Sequence, residues 1–277
     1  VCSLYILFYF NFFKLIENIK FNKLYLFAIL SPISFYFPIL NSKATGHKEI
    51  ILFFLLSTFC ILLPKIKTIY SYYFLIFSII FISLTHEGLI FFLTYLIIPF
   101  FLFYNFKDFK EVMFFLIPLF VIIFLLLLLN YHYRGSEQHV IDICDSLADF
   151  INKNCKSVGQ IAHLKVTLGE YTLQKERWLY GQATLYPDYF FIYGIGFLFG
   201  FLPLFILYKK TKTNLKFFQK LKVYPILILF VPFIFTFPVY YIAADWGRYL
   251  YISYMSSLII IFFFIKNNIF LIEKDIN

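Results

Sequence analysis

Charged residues are scarce in this chain, and their scarcity excludes a soluble domain. Only 14% of the 277 residues are charged, whereas 62% are hydrophobic, and the mean hydropathy is +0.82. A soluble domain is about 45–50% apolar. Forty-two Phe and twenty-three Tyr exceed what one core can bury, but a bilayer solvates apolar side chains and places Tyr at its interfaces. The composition therefore predicts an integral membrane protein surrounded by membrane lipid.

Motifs for metals, cofactors and nucleotides are also missing from the sequence. The five His and four Cys show no His-x-x-x-His or Cys-x-x-Cys spacing, and His86-Glu87 lacks the second His of a zinc-protease motif. Neither a P-loop nor a dinucleotide fingerprint is present, because Gly194-Ile195-Gly196 lies within an apolar stretch, where it favours helix packing. We therefore predict no metal, no cofactor and no ATP-driven transport.

The lysines carry most of the net charge of +9. Such a charge can indicate a nucleic-acid partner, but these lysines occur in short runs between apolar stretches. The positive-inside rule predicts that pattern for cytoplasmic loops. Because no basic face extends beyond those loops, we expect no nucleic-acid binding.

Lysine-bearing breaks divide the chain into about nine apolar stretches, each close to the roughly 17–25 residues that a membrane helix needs. Helices are expected because every backbone polar group in lipid must be bonded within the protein. The predicted spans are 1–13, 24–40, 48–64, 69–85, 88–104, 111–130, 187–208, 223–242 and 249–265. The first span begins at Val1 without a charged leader, which indicates a truncated start rather than a signal peptide.

The division of residues 69–104 into two spans decides the topology. As one helix this segment would be roughly 54 Å long at 1.5 Å per residue, so we predict a turn at Thr85-His86-Glu87-Gly88. With this turn the lysine-bearing segments fall on one side, which the positive-inside rule assigns to the cytoplasm. They are 14–23, 65–68, 105–111 and 209–222.

One sizeable polar segment, 131–186, lies between the N-terminal transmembrane helices of 1–130 and the C-terminal transmembrane helices of 187–277. The topology places it outside the membrane as a small extracytoplasmic loop subdomain. Val140, Ile143, Cys144, Leu147 and Ile151 recur in it at helical spacing, which predicts an amphipathic helix. The predicted fold class is thus an all-α, polytopic transmembrane helical bundle with one small loop subdomain.

The cysteines fall into two groups. Cys2 and Cys60 lie in apolar spans and are expected to be inert packing residues. Cys144 and Cys155 both fall in the external loop, a compartment that permits disulfides. We therefore predict a disulfide between Cys144 and Cys155.

Three charged clusters meet on the external face under this topology. They are Gly46-His47-Lys48-Glu49, His86-Glu87 and Asp245-Trp246-Gly247-Arg248. An ionised group in the hydrocarbon costs roughly 2.5–3.5 kcal/mol on insertion scales, so it normally faces a cavity or a partner. We expect Glu87 to pair with Arg248 or Lys48. The alternative interpretation is that these are ordinary interfacial residues, with Trp246 in an aromatic belt.

A catalytic interpretation gives each charged group a task. Arg248 and Lys48 would hold a pyrophosphate, and Glu87 or Asp245 would deprotonate an attacking sugar hydroxyl. His86 or His47 would share the proton transfer or bind phosphate, while Glu49 and Trp246 complete the candidate substrate-binding residues.

Four short motifs carry a family resemblance. They are Ser31-Pro32 through Pro38, Gly46-His47-Lys48-Glu49-Ile50, Thr85-His86-Glu87-Gly88 and Ala244-Asp245-Trp246-Gly247-Arg248-Tyr249. Together they resemble bacterial surface-polysaccharide polymerases of the O-antigen and exopolysaccharide type, multi-span proteins of capsule or exopolysaccharide gene clusters. The resemblance implies that Lys48, Glu87, Asp245 and Arg248 line the site for a lipid-linked substrate. His47 stands where that pattern has Arg.

The resemblance implies an enzyme of the bacterial inner membrane that joins oligosaccharide units linked to undecaprenyl pyrophosphate, a polyprenyl pyrophosphate, on the external face. A chain-length regulator or a flippase would be its protein partner. One alternative is a polyprenyl-phosphate-sugar-dependent glycosyltransferase, with Glu49 as the acidic residue of its early external loop. Another is a lipid-oligosaccharide flippase or secondary transporter, which would need ionisable residues near mid-span and two related halves. The sequence displays neither feature.

Overall fold

The computed structural model describes residues 2–20, 23–35, 48–106, 108–132, 135–146, 188–213, 227–242 and 246–272. The chain forms two compact units. The first is Val1–Ile123 together with Phe191–Asn277, and the second is Phe124–Phe190. Helices make up almost all of the described chain, which confirms the predicted all-α class.

Most described helices lie within or close to predicted spans, but the predicted span 24–40 begins as two short helices, and the helix Glu137–Ser146 lies in the polar segment. In chain order they are α1 (Cys2–Ile16), α2 (Lys23–Ile29), α3 (Pro32–Phe35), α4 (Glu49–Leu62), α5 (Thr68–Thr85), a 3₁₀ helix (Glu87–Phe92), α6 (Thr94–Tyr104), α7 (Phe109–His132), α8 (Glu137–Ser146), α9 (Asp188–Lys209), α10 (Leu227–Ile242) and α11 (Trp246–Lys266). Two short strands, β1 (Thr211–Thr213) and β2 (Phe270–Ile272), follow α9 and α11. The sequence analysis did not predict these strands.

Within the described residues, three helical segments are long and apolar enough to cross a membrane, as expected of a membrane protein. They are Thr68–Thr85, Phe109–Leu129 and Gly247–Lys266. Shorter apolar helices occupy the described parts of other predicted spans, so the number of nine spans stays a prediction. The segment in α11 is 83% buried and that in α7 only 11%. Helix α11 is therefore the core helix of the first unit, whereas α7 presents its apolar side chains outward.

The predicted turn between the fourth and fifth spans is present at His86, which is extended between α5 and the 3₁₀ helix. Helix α6 then returns along α5. At its end the Tyr104 hydroxyl lies 2.6 Å from the Ser71 hydroxyl and donates to the carbonyl of Ile66 at 3.2 Å. Residues 68–104 therefore form an antiparallel helical hairpin, as the length argument required.

Aromatic contacts show that α1 and α11 run in the same direction. Phe8 of α1 lies in one layer with Phe53 of α4 and Tyr251 of α11, since both rings are 5.6 Å from that of Phe53. A second layer joins Phe12 to Phe262 at 5.8 Å. The first unit therefore has two distinct ends. We call the end where α4 and α11 begin the ion-pair end.

Lysines collect at the opposite end, which we call the lysine end. There Lys266 donates to the backbone carbonyl of Lys14, so α1 and α11 finish side by side. Strands β1 and β2 pair antiparallel at this end, with Lys212 opposite Leu271. The lysine end carries Lys14, Lys20, Lys23, Lys65, Lys67, Lys209, Lys210, Lys212 and Lys266. Apart from Lys266, these lysines were predicted to share one side, and the assignment of that side to the cytoplasm stays a prediction.

A close helix contact is made by Gly200 of α9. Ser31 donates its hydroxyl to the Gly200 carbonyl at 2.8 Å, and a Cβ placed on Gly200 would lie 2.1 Å from the Cδ1 of Ile33. Within the described residues, a Cβ on Gly194 or Gly196 would meet no atom within 4 Å. Gly200 is therefore a packing glycine, and the packing role predicted for Gly194-Ile195-Gly196 stays a prediction.

The second unit contains the predicted amphipathic helix, here α8. Val140 and Cys144 are buried on one face, whereas Gln138 and Asp142 are exposed and joined by a hydrogen bond of 2.8 Å. Ile143 is half-buried, and the remaining predicted apolar positions, Leu147 and Ile151, lie outside the described residues.

Candidate functional site

Arg248 and Glu49 form an ion pair at the ion-pair end of the first unit. The guanidinium Nε of Arg248 donates to Oε1 of the Glu49 carboxylate, and the two side chains are only 9% and 7% exposed. Taking such charges out of water costs several kcal/mol each, and only close partners offset that cost. The pair therefore holds the beginnings of α4 and α11 together.

The two charges interact in opposite ways with the dipoles of their helices. Glu49 is the first residue of α4, where a carboxylate interacts favourably with the helix dipole. Arg248 lies in the first turn of α11, where a cation is opposed by the dipole. The carboxylate of Glu49 offsets that unfavourable interaction.

Lys48 connects this pair to the end of α5. Its exposed Nζ donates to the backbone carbonyl of Thr85 at 3.2 Å. The last carbonyls of a helix lack partners within the helix, and a cation is favourable at that terminus. Lys48 and Glu49, adjacent in sequence, thus join α4 to α5 and to α11.

His86 shapes the turn that follows Thr85. Its ring Nδ1 accepts a hydrogen bond of 3.0 Å from the backbone N–H of Gly88 and so caps the 3₁₀ helix. In a neutral ring the proton then lies on Nε2. Gly88 has little room for a side chain, since a Cβ there would lie 3.1 Å from the Cε1 of His86.

The structure joins two of the three predicted charged clusters through Glu49 and Arg248, and it brings Lys48 to Thr85, the residue before the remaining cluster. Lys48 and Glu49 of the first contact Thr85 and Arg248, which belong to the second and third motifs. The ion pair described at Arg248 is with Glu49, whereas the sequence analysis expected Glu87 to pair with Arg248 or Lys48.

Other predicted site residues are only partly placed by the structure. Glu87 begins the 3₁₀ helix and Trp246 begins α11, and only their backbones are described. His47 and Asp245 lie outside the described residues, so their roles stay predictions, as does the pairing of Glu87.

One of the two cysteines of the predicted disulfide lies within the described residues, and the pairing itself stays a prediction. Cys144 is disulfide-bonded, and its predicted partner Cys155 lies outside the described residues. Cys60 is free and buried, as expected of a packing residue.

The described part of the chain holds no group of three or more His, Cys, Asp and Glu side chains that could bind a metal ion. It does hold a set of buried hydroxyl groups that sequence reasoning missed. Ser253, Ser256 and Ser257 lie on one face of α11 and are at most 1% exposed. Their spacing of three and four residues was the available signal.

No protein-family model, curated protein sequence or solved structure matches this chain. The class of protein is described by its fold and its charged site. The described chain is an all-α protein with helices able to cross a membrane and a charged site where several of them begin or end.

Proposed function

We propose that this chain is an integral membrane polysaccharide polymerase. It joins oligosaccharide repeat units linked to undecaprenyl pyrophosphate on the external face of the bacterial inner membrane, and its product is a surface polysaccharide of the capsule, exopolysaccharide or O-antigen kind. The proposal rests on the resemblance of the motifs and on the meeting of Lys48, Glu49 and Arg248 at one end of the first unit.

The buried pair of Arg248 and Glu49 is the observation that carries the proposal. Replacing a buried ion pair with apolar residues is often neutral or stabilising, so stability alone does not account for the pair. A guanidinium binds pyrophosphate oxygens through a planar fork of N–H donors. Phosphate oxygens would compete with the Glu49 carboxylate for Arg248, and Lys48 would add a second cation close by.

The chemistry is a glycosyl transfer between two lipid-linked chains. Arg248 and Lys48 stabilise the negative charge on the departing pyrophosphate as the bond between the sugar C1 and the phosphate oxygen breaks. A carboxylate takes the proton of the acceptor hydroxyl while its oxygen forms the new bond to C1. Glu87 and Asp245 are the candidates for this base, and Glu49 becomes a third candidate once pyrophosphate displaces it from Arg248.

The distribution of basic residues supports an external site. Among the described residues of the first unit, Lys48 and Arg248 are the basic residues at the ion-pair end, and Arg248 is neutralised by Glu49. The other end carries the collected lysines. Since lysines favour the cytoplasmic side, the ion-pair end would face outward, where lipid-linked repeat units are joined.

Polymer formation in cells tests the proposal. Arg248→Lys keeps the charge but loses the fork of donors, so the amount of long polymer should fall at least tenfold at equal protein level. Lys210→Ala at the lysine end is the control and should leave polymer unchanged. Normal polymer from Arg248→Lys and Arg248→Ala, both present at wild-type amounts, would contradict the proposal.

The glycosyltransferase alternative shares this site but uses another donor. Its specific support is Glu49, the acidic residue early in the chain that the structure places against Arg248. Offering purified protein either a polyprenyl-phosphate monosaccharide or a polyprenyl-pyrophosphate oligosaccharide distinguishes the glycosyltransferase from the polymerase, since each enzyme consumes only one donor.

For a flippase, charged residues would be expected near the middle of the membrane-spanning helices. In the described membrane-length helices they lie at helix ends instead.

A further inference from the structure

Helix α11 carries hydroxyl groups deep inside the first unit. Tyr249, Ser253, Ser256 and Ser257 follow one another at intervals of four, three and one residues, so they share one face of the helix. Ser253 and Ser256 are 0% exposed and Ser257 is 1% exposed. This face therefore presents polar groups to neighbouring helices rather than to lipid.

Tyrosines from three neighbouring helices meet this face. Tyr95 of α6 faces both Ser253 and Ser257. Tyr240 of α10 also faces Ser253, and its ring packs against Tyr249 with 5.6 Å between centroids. Tyr208 of α9 lies near Tyr95. We name as the hydroxyl cluster Tyr95, Tyr208, Tyr240, Ser253, Ser256 and Ser257.

Part of the hydroxyl cluster lacks hydrogen bonds of normal geometry. Within the described residues, the hydroxyls of Tyr208, Ser253 and Ser256 are buried and make no such bond, although Tyr95 and Tyr240 face Ser253. A serine or threonine in a helix can bond a carbonyl of the preceding turn. Thr236 does so, donating to the Phe233 carbonyl at 2.7 Å.

Buried hydroxyls without bonds of normal geometry are costly, and their presence in one core requires an explanation. A water molecule in a protein interior typically makes about three hydrogen bonds to groups of this kind. Polar groups that face each other beyond bonding geometry are commonly bridged by water. Every member of the cluster is uncharged, which suits a neutral ligand rather than an ion.

We propose that the hydroxyl cluster is an internal binding site for water molecules, held between α6, α9, α10 and α11. The site continues from Tyr249, the residue after Arg248, into the interior of the first unit. Water bound there hydrates the core of the first unit near the ion pair. This inference does not depend on the proposed polymerase function.

Radiolytic labelling in water enriched in ¹⁸O tests the site. The full chain in lipid nanodiscs is irradiated, and tyrosine peptides are analysed by mass spectrometry, since radicals formed from a bound water attack the side chains that touch it. Tyr254 is the control, because it lies on the same helix, is 0% exposed and donates its hydroxyl to the Ala28 carbonyl at 2.6 Å. Tyr95 and Tyr208 should take up several-fold more label than Tyr254. Equal uptake at all three would overturn the proposal.

Thermal unfolding of two serine variants gives an independent answer. Ser57 is also 0% exposed, but its hydroxyl donates to the Phe54 carbonyl at 3.0 Å, so Ser57→Ala should lower the unfolding midpoint. If Ser256 binds water, Ser256→Ala should lower the midpoint too. A raised midpoint for Ser256→Ala would mean that its hydroxyl is dry and unpaired, and would contradict the proposal.

Discussion

Arg248 and Glu49 are 199 residues apart in the sequence, and their side chains form a buried ion pair where α11 and α4 begin. Each is less than a tenth exposed, so water and salt screen their attraction weakly. The pair connects helices from the two parts of the first unit, which the second unit separates in the chain. It therefore joins segments that the polar region 131–186 divides in sequence.

Breaking this ion pair should destabilise the protein strongly. Glu49→Gln leaves the Arg248 guanidinium without its carboxylate, which typically costs about 3–5 kcal/mol for a buried pair. The double variant Glu49→Leu with Arg248→Met should recover most of the loss, because no charge then remains buried. Unfolding in detergent, followed by circular dichroism, measures the free energies of the wild type, Glu49→Gln, the single variants Glu49→Leu and Arg248→Met, and the double variant. Additive losses in the double variant would show that the two residues do not stabilise each other.

Removing the cation at Lys48 should affect polymer formation far more than folding. Its side chain is exposed and bonds only the Thr85 carbonyl among the described contacts, so Lys48→Ala should leave the unfolding midpoint nearly unchanged. Under the proposed function, polymer formation should fall at least several-fold because pyrophosphate loses one of its two cations. The amount and length of polymer on gels are compared between Lys48→Ala and the control variant Lys65→Ala at the lysine end. Equal amounts of polymer from both variants would contradict a role for Lys48 in substrate binding.

The two glycine positions of α9 should respond differently to a methyl group. Gly200→Ala places a Cβ 2.1 Å from the Cδ1 of Ile33, and such overpacking typically costs about 1–3 kcal/mol. Gly194→Ala meets no described atom within 4 Å and should be neutral or stabilising, since alanine favours the helix. Unfolding free energies compare the variants. Ile33→Ala should rescue Gly200→Ala if the steric contact is the cause.

Thiol labelling in intact cells should separate the two ends of the first unit. In a chain without other cysteines, Lys48→Cys should react with a membrane-impermeant reagent, because the ion-pair end is predicted to face outward. Lys210→Cys should react only after the cells are lysed. The two probes are matched because both replace lysines near helix ends. Labelling of Lys210→Cys but not of Lys48→Cys in intact cells would place the site on the cytoplasmic side and contradict the polymerase proposal.

Local patterns were enough to predict much of the fold. The length of 69–104 required a turn, and the structure turns at His86. The helical spacing of Val140, Ile143, Cys144, Leu147 and Ile151 predicted the amphipathic α8, in which Val140 and Cys144 are buried. For the glycines of α9, the sequence shows that each residue is small but not which neighbour approaches it. Ser31 and Ile33, far away in the chain, approach Gly200.

The sequence by itself determined that this protein is helical and apolar, where its helices lie, and which charged motifs could form a site. These properties follow from composition and from the number of residues needed to cross lipid, which are local quantities. Only the tertiary structure decided that Arg248 is held by Glu49, that Lys48 bonds Thr85, and that the serines of α11 face the tyrosines of other helices. Partners of this kind depend on which helices lie side by side, and similar apolar surfaces leave that choice open until the helices pack.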